Sequence, residues 1–201
     1  INPLLTAKEA LHQLGDSNAK LLINSEGVAL SAQVPVLAVH ALVGDVQDES
    51  DPVEDAERLA LLIYTSGTTG LPKGVMLDHA NIEAMVNMGK VALEMTDSDH
   101  SLLILPLFHV NGIVVSVLTP LASGGQVTIG ARFDPATFFA EVERIKPTFF
   151  SAVPTIYTLL NALPAECKPN TSSIRFAVCG AAPASADLLM SFESRYGFPL
   201  I

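Results

Sequence analysis

Short apolar runs alternate with stretches of helical spacing along this chain, and that alternation constrains its fold more than any other feature. Lys20-Leu21-Leu22-Ile23-Asn24, Val36-Leu37-Ala38-Val39, Leu59-Ala60-Leu61-Leu62-Ile63, Val75-Met76-Leu77, Ser101-Leu102-Leu103-Ile104-Leu105, Gln126-Val127-Thr128-Ile129, Thr148-Phe149-Phe150 and Ile174-Arg175-Phe176-Ala177-Val178-Cys179 read as strands. Between them, Thr6 with Glu9 forms a capping box for a helix that runs to Gly15. Asp78 caps a helix over 79–95 whose Ile82, Met85, Val86 and Gly89 share a face. An apolar helix follows over 113–121, and Asp134-Pro135 starts another with the stripe Phe138, Val142 and Ile145. Pro154 opens a helix carrying Ile156, Leu159, Leu160 and Leu163, which read as core rather than as an acyl tunnel, and a last helix spans about 184–196 before Phe198-Pro199-Leu200-Ile201 begins a further strand. Parallel strands need crossovers, and crossovers are usually helices, so the expected class is α/β with mainly parallel sheets flanked by helices.

The stretch Tyr64-Thr65-Ser66-Gly67-Thr68-Thr69-Gly70-Leu71-Pro72-Lys73-Gly74 departs from this rhythm, because no helix separates the runs at 59–63 and 75–77. A strand, a loop and a strand are implied. On composition alone a polar surface connection and a polyphosphate grip are equally open. The hydroxyls of Thr65, Ser66, Thr68 and Thr69 can donate to phosphate oxygens, Gly67, Gly70 and Gly74 allow close backbone approach, and Lys73 supplies a point charge. At about 4 Å and an effective dielectric near 20, such a charge contact is worth about 4 kcal/mol. The Walker A arrangement is excluded, since Pro72 stands five positions after Gly67 and Lys73 precedes Gly74 rather than Ser or Thr.

The string instead resembles the phosphate-binding signature of the adenylate-forming superfamily, which comprises acyl-CoA synthetases, firefly luciferases and peptide-synthetase adenylation domains. Every specified position of [YF]-T-S-G-[TS]-T-G-x-P-K-G is matched. The opening Asn2-Pro3-Leu4-Leu5-Thr6 and the strand at Lys20 are similar to segments that acyl-CoA synthetases carry at this distance before the loop. The resemblance implies a part of an acetyl-CoA-synthetase-like large domain, with Thr65, Ser66, Gly67, Thr68, Thr69, Gly70 and Lys73 on the β- and γ-phosphates of ATP and Lys73 taking part in catalysis.

Two further turns narrow the reading. Leu105-Pro106-Leu107-Phe108-His109-Val110-Asn111-Gly112 places an imidazole after a buried strand. A lone His among apolar residues is more often a satisfied core group, whereas the carboxyl ends of strands in open α/β sheets are where ligands bind. The string resembles the P-x-F-H motif of acyl- and aryl-CoA synthetases, which implies that His109 orients the reacting region. Amino-acid-activating relatives carry an Asp there to pair with the substrate ammonium; its absence favours a simple carboxylic acid, with fatty, dicarboxylic and aromatic acids all open. Gly180-Ala181-Ala182-Pro183 is similar to the G-[GA]-A-P turn of the family and implies that Gly180, Ala181, Ala182 and Pro183 wall the adenine side.

Net charge is −10, which gives no support to nucleic acid or an anionic membrane as partner. The acids Asp45, Asp48, Glu49, Asp51, Glu54, Asp55 and Glu57 read as a solvated linker over about 45–57 between two α/β segments, not as a metal site. Cys167 and Cys179 lack metal or redox spacing and point to a reducing, cytoplasmic setting. The uncharged span 101–131 is broken by Pro106, Gly112, Pro120 and Gly124-Gly125, so no transmembrane segment is expected. No signal peptide is expected at Ile1-Asn2-Pro3.

The family's Mg²⁺-associated Thr and Glu, its ribose-binding Asp and its C-terminal lid domain have no counterpart among these residues. The expectation is therefore a central fragment of an ATP- and Mg²⁺-dependent carboxylate–CoA ligase, inactive alone, with ATP, coenzyme A and a small carboxylic acid as partners of the parent and the metal ligands elsewhere. A non-catalytic nucleotide-binding homologue and an unrelated phosphotransferase sharing only the loop are the competing readings.

Overall fold

The capping box at Thr6 forms. Glu9 Oε2 accepts from the Thr6 N–H at 2.8 Å and Thr6 Oγ1 accepts from the Glu9 N–H at 3.3 Å, so helix α1 (Ala7–Asp16) starts where expected and buries Ala10, Gln13 and Leu14. The computed structural model describes residues 1–25, 34–42, 55–65, 71–130 and 132–201. It divides into two units, Ile1–Asn81 and Ile82–Ile201. Of the expected acidic linker, residues 45–54 lie outside the described residues.

In the first unit, β1 (Leu22–Asn24) and β2 (Val36–Ala38) pair in parallel and a 3₁₀ turn, Val39–Ala41, follows. Strands β3 (Leu59–Thr65) and β4 (Lys73–Asp78) form an antiparallel hairpin, with Thr65 opposite Lys73 and Tyr64 opposite Gly74. The hairpin is the antiparallel exception to the mainly parallel expectation, and its cause is the missing crossover helix.

Helix α2 (His79–Ala92) is capped reciprocally: Asp78 Oδ1 accepts from the Asn81 N–H at 2.6 Å and Asn81 Oδ1 accepts from the Asp78 N–H at 3.2 Å. Only Val86 of its expected apolar face is buried, and Met85 is 37% exposed. The helix stops short of residue 95. Glu94 takes φ 48°, and the Met95 N–H closes on the Lys90 carbonyl at 2.9 Å.

The second unit is built on a four-stranded parallel sheet of β5 (His100–Leu103), β6 (Gln126–Ile129), β7 (Phe149–Ala152) and β8 (Phe176–Cys179), in the order β6-β5-β7-β8. Strand β7 is buried along its whole length. Phe150 and Ala152 join a core with Leu102, Ala177, Val142, Tyr157, Phe192 and Tyr196. These residues bring one face of the sheet against α4 (Phe138–Ile145), α5 (Pro154–Asn161) and α6 (Ala186–Tyr196), for which the intervening turn Thr119–Ala122 is α3. Ser151, of opposite parity, points to the other face, where a π-helix, Asn111–Leu118, packs on β5 and β7. Ring pairs knit the core: Phe192 meets Tyr157 edge-on at 5.0 Å and Phe198 edge-on at 5.6 Å. Beyond α6, the Ala177 and Cys179 N–H groups donate to the Pro199 and Ile201 carbonyls, which adds the expected further strand beside β8 as a parallel bridge.

Three details differ from the periodicity. The helix expected at 113–121 is π-helical as far as Leu118, with the Thr119 N–H reaching back five residues to the Val114 carbonyl. Pro120 lacks an N–H and in an α-helix would clash with the carbonyl four residues earlier; widening the preceding turn removes both conflicts. Asp134 caps a turn rather than the helix itself, accepting from the Ala136 N–H at 2.9 Å, so α4 begins only at Phe138. In α5, Leu159 is 45% exposed. Tyr157 is buried in its place, with its hydroxyl donating to the Val178 carbonyl at 2.7 Å.

At the amino ends of the sheet, Asp99 is 1% exposed. Its carboxylate accepts from Arg175 Nη1 at 2.5 Å, Thr148 Oγ1 at 2.8 Å and the Thr96 N–H at 2.8 Å. Thr148 Oγ1 in turn accepts from the His100 N–H at 2.9 Å. Burial pushes the Asp99 carboxyl up, but these donors outweigh it and hold the group below the ordinary carboxylate range.

Candidate functional site

Lys73 opens β4, opposite Thr65 at the end of β3, so the two arms bring the loop's lysine and its first threonine to one end of the hairpin. Ser66, Gly67, Thr68, Thr69 and Gly70 lie outside the described residues. Lys73 is exposed. Tyr64 crosses the hairpin above Gly74: a Cβ on residue 74 would lie 3.2 Å from Tyr64 Cζ and 3.0 Å from Leu62 Cδ1. The bare backbone at 74 is therefore what lets the ring pass. The ring reaches α1, where its hydroxyl donates to Asp16 Oδ2 at 2.6 Å with the Gln13 carbonyl 3.3 Å away. Burial first, and the Asp16 carboxylate second, push the phenol up to about 12, so it stays a donor throughout the physiological range. His12 Nε2 stands 3.2 Å from the Pro72 carbonyl, and because a carbonyl only accepts, Nε2 carries the proton. His12, Asp16, Leu71, Pro72, Lys73 and Gly74 line an open cleft of about 530 Å³.

In the second unit the carboxyl ends of the parallel strands share one edge. Strand β5 leads by way of the π-helix to β6 on one side, and β7 leads through α5 to β8 on the other. The gap between β5 and β7 is thus the switch point, where ligands bind in open α/β sheets. His109 stands in the turn after β5. Its N–H donates to the Pro106 carbonyl at 3.2 Å, its side chain is exposed, and its ring lies 4.5 Å from that of Phe108. Gly180 leaves β8 at the same edge, its N–H donating to the Ala152 carbonyl at 3.1 Å. Ala181 adopts φ 66°, and Ala181, Ala182 and Pro183 are exposed.

A residue that motif reading passed over ties these turns together. Asn111, at the start of the π-helix, accepts from Ser151 Oγ on β7 at 2.8 Å, and its Nδ2 would lie 2.9 Å from a Cβ on residue 180. Gly180 is therefore bare because the Asn111 amide occupies the space. Gly180→Ala is expected to displace that amide and cost about 1–3 kcal/mol, read as a lower denaturant midpoint at unchanged slope.

The sequence-predicted residues fall into two groups. His109, Gly180, Ala181, Ala182 and Pro183 gather at one sheet edge of the second unit, while Thr65 and Lys73 belong to the hairpin of the first. Among the described residues no group of His, Cys, Asp or Glu could hold a metal ion. No helix of the described residues is long and apolar enough to cross a membrane.

Comparison with known proteins gives these turns a context. The family model for the AMP-binding enzyme matches residues 1–201. The chain belongs to the AMP-binding enzyme family. Within the family it is 33% identical to the oxalate–CoA ligase of Arabidopsis thaliana, covering 100% of this chain and 44% of that protein. It is 34% identical to a feruloyl-CoA synthase of Amycolatopsis sp, covering 97% and 41%. The O-succinylbenzoate coenzyme A synthetase of Bacillus subtilis, solved with ATP and magnesium ion, superposes on it with a TM-score of 0.85 at 30% identity, covering 100% of this chain and 42% of that one. The chain thus spans less than half the length of these AMP-binding relatives, and its α/β fold is that of part of their structure.

Proposed function

We propose that this chain carries the triphosphate grip and part of the acyl and adenine walls of an ATP-dependent carboxylate–CoA ligase. In that reaction a carboxylate oxygen attacks the α-phosphorus of ATP, the bond to the β-phosphate oxygen breaks, and pyrophosphate leaves. The thiol of coenzyme A then attacks the acyl carbon and AMP departs. The observation that carries the reading is the Tyr64 to Gly74 string mounted on a hairpin with Thr65 opposite Lys73, in an AMP-binding family member whose relatives bear CoA ligase names.

Charge builds on the departing pyrophosphate as its bond breaks, and fixed donors stabilise such charge best where they need not reorganise. Lys73, with the hydroxyls and backbone of Thr65, Ser66, Gly67, Thr68, Thr69 and Gly70, would supply that stabilisation at the β- and γ-phosphates. His109 would orient the carboxylate, and Gly180 to Pro183 would face the adenine. Mg²⁺ would be held mainly by the phosphates together with one or two carboxylates, supplied from outside the described residues. Unpaired Cys167 and Cys179 support a reducing, cytoplasmic location.

Pyrophosphate exchange into ATP, dependent on an added carboxylic acid, tests the reading in the full-length protein. Oxalate, a long-chain fatty acid and a hydroxycinnamate sample the open substrate classes, and no exchange with any carboxylate overturns it. His109→Ala is expected to slow single-turnover acyl-adenylate formation about ten- to a hundredfold through misplacement of the reacting groups. An unchanged rate across several acids removes His109 from the site.

A further inference from the structure

His12 and Asp16 are spaced four residues apart and so lie on one face of α1. Each touches the Lys73 hairpin at a different arm. Asp16 accepts from the Tyr64 hydroxyl at 2.6 Å, and the Tyr64 ring in turn lies against Gly74, the residue after Lys73. His12 donates toward the carbonyl of Pro72, the residue before Lys73, at 3.2 Å. The backbone on both sides of the lysine is therefore referred to a single helix, while the lysine itself is exposed at the end of the hairpin. A flexible side chain places its charge only as well as its Cα is held, and displacement of about 1 Å can cost about a hundredfold in rate.

We propose that His12 and Asp16 are positioning residues for Lys73, with α1 acting as a two-point brace that fixes where the ammonium meets phosphate. The kinetic part of this rests on the ligase reading; the brace itself does not. Both residues bond to the hairpin itself, and the proposed role acts through those bonds. The bonds need only a donor at position 12 and an acceptor at position 16, which makes the chemistry separable from the shape.

The test is a double-mutant cycle in the full-length protein. Asp16→Ala and His12→Ala are each expected to lower kcat/KM for ATP about tenfold while changing KM for the carboxylic acid less than twofold. Asp16→Asn and His12→Gln, which keep the acceptor and the donor, should restore most of the loss, and Tyr64→Phe should reproduce Asp16→Ala. In a Lys73→Ala background the same substitutions should have no further effect. Full additivity in that background, or equal losses for ATP and acid, overturns the positioning role. Hydrogen exchange supplies a readout that needs no activity: Asp16→Ala should raise exchange over 71–78 about tenfold and leave 100–152 unchanged, and uniform or unaltered exchange overturns the brace. A wild-type protein without carboxylate-dependent exchange refutes the ligase reading alone, since the hydrogen-exchange result still decides whether α1 holds the hairpin.

Discussion

Lys73→Ala is expected to lower kcat/KM for acyl-adenylate formation about 10²–10³-fold, the range found when one preorganised donor to a developing charge is removed. The reason is local. Lys73 is the first residue of β4, its backbone is paired to Thr65, and its side chain is exposed at the end of the hairpin, so truncation to Ala leaves that pairing in place. Thermal stability should therefore stay within about 0.5 kcal/mol of wild type, as for other surface substitutions. Lys73→Arg keeps the charge but spreads it over a planar fork and should recover only part of the rate. The check is rapid-quench measurement of adenylate formation. A wild-type rate for Lys73→Ala would show that the loop does not grip the triphosphate.

Asp99→Ala should act on folding instead, at a cost of about 1–3 kcal/mol, because it removes the acceptor that several part-buried donors share, while the 40% exposed Arg175 side chain can return to water. Arg175, Thr148 and the Thr96 N–H all donate to that carboxylate, and Arg175 also reaches the Glu94 carbonyl. The loss would appear as a reduced denaturant midpoint. Its pH dependence follows from the direction of the shift. Asp99 titrates lower in the folded chain than in the unfolded one, so its stabilisation is complete above the unfolded value near about 4 and is lost as pH falls through the native value. The gap between wild type and Asp99→Ala should narrow below about pH 4. His100 adds a separate acid sensitivity, since burial lowers its pKa and acid charges the unfolded imidazole first. A gap independent of pH would mean that the carboxylate's charge is not what is lost.

Local rules carried much of this molecule. The Thr6 box, the strand Gln126–Ile129 and the stripe Phe138 and Val142 depend on neighbours within a few residues, and each stands where the pattern puts it. The face of α5 depends on more: Leu160 is buried and Ile156 and Leu163 pack against the core where the spacing puts them, but Leu159 turns outward and Tyr157 goes in, bonded to Val178, 21 positions away. The site divides in the same way. Thr65, Lys73, His109 and Gly180 sit in or directly beside turns whose composition marks them. His12 and Asp16 carry no such mark, because their partners lie 60 and 48 residues further along the chain. Asn111 was visible only as part of a turn; its contacts with Ser151 and Gly180 exist because three separate strand ends share an edge.

The wide helix at Asn111–Leu118 bears on how this part of the chain can evolve. A π turn holds one residue more than the α turn it replaces, so it is the mark a single inserted residue leaves when the flanking helix keeps its packing. Removing one residue there would narrow the turn to α geometry and leave the flanking segments nearly in register. What would shift is the wide turn itself, and with it the Asn111 amide that meets Ser151 and fills the space above Gly180. A one-codon deletion is thus a route to reshaping this strand-end edge while the sheet below it stays intact.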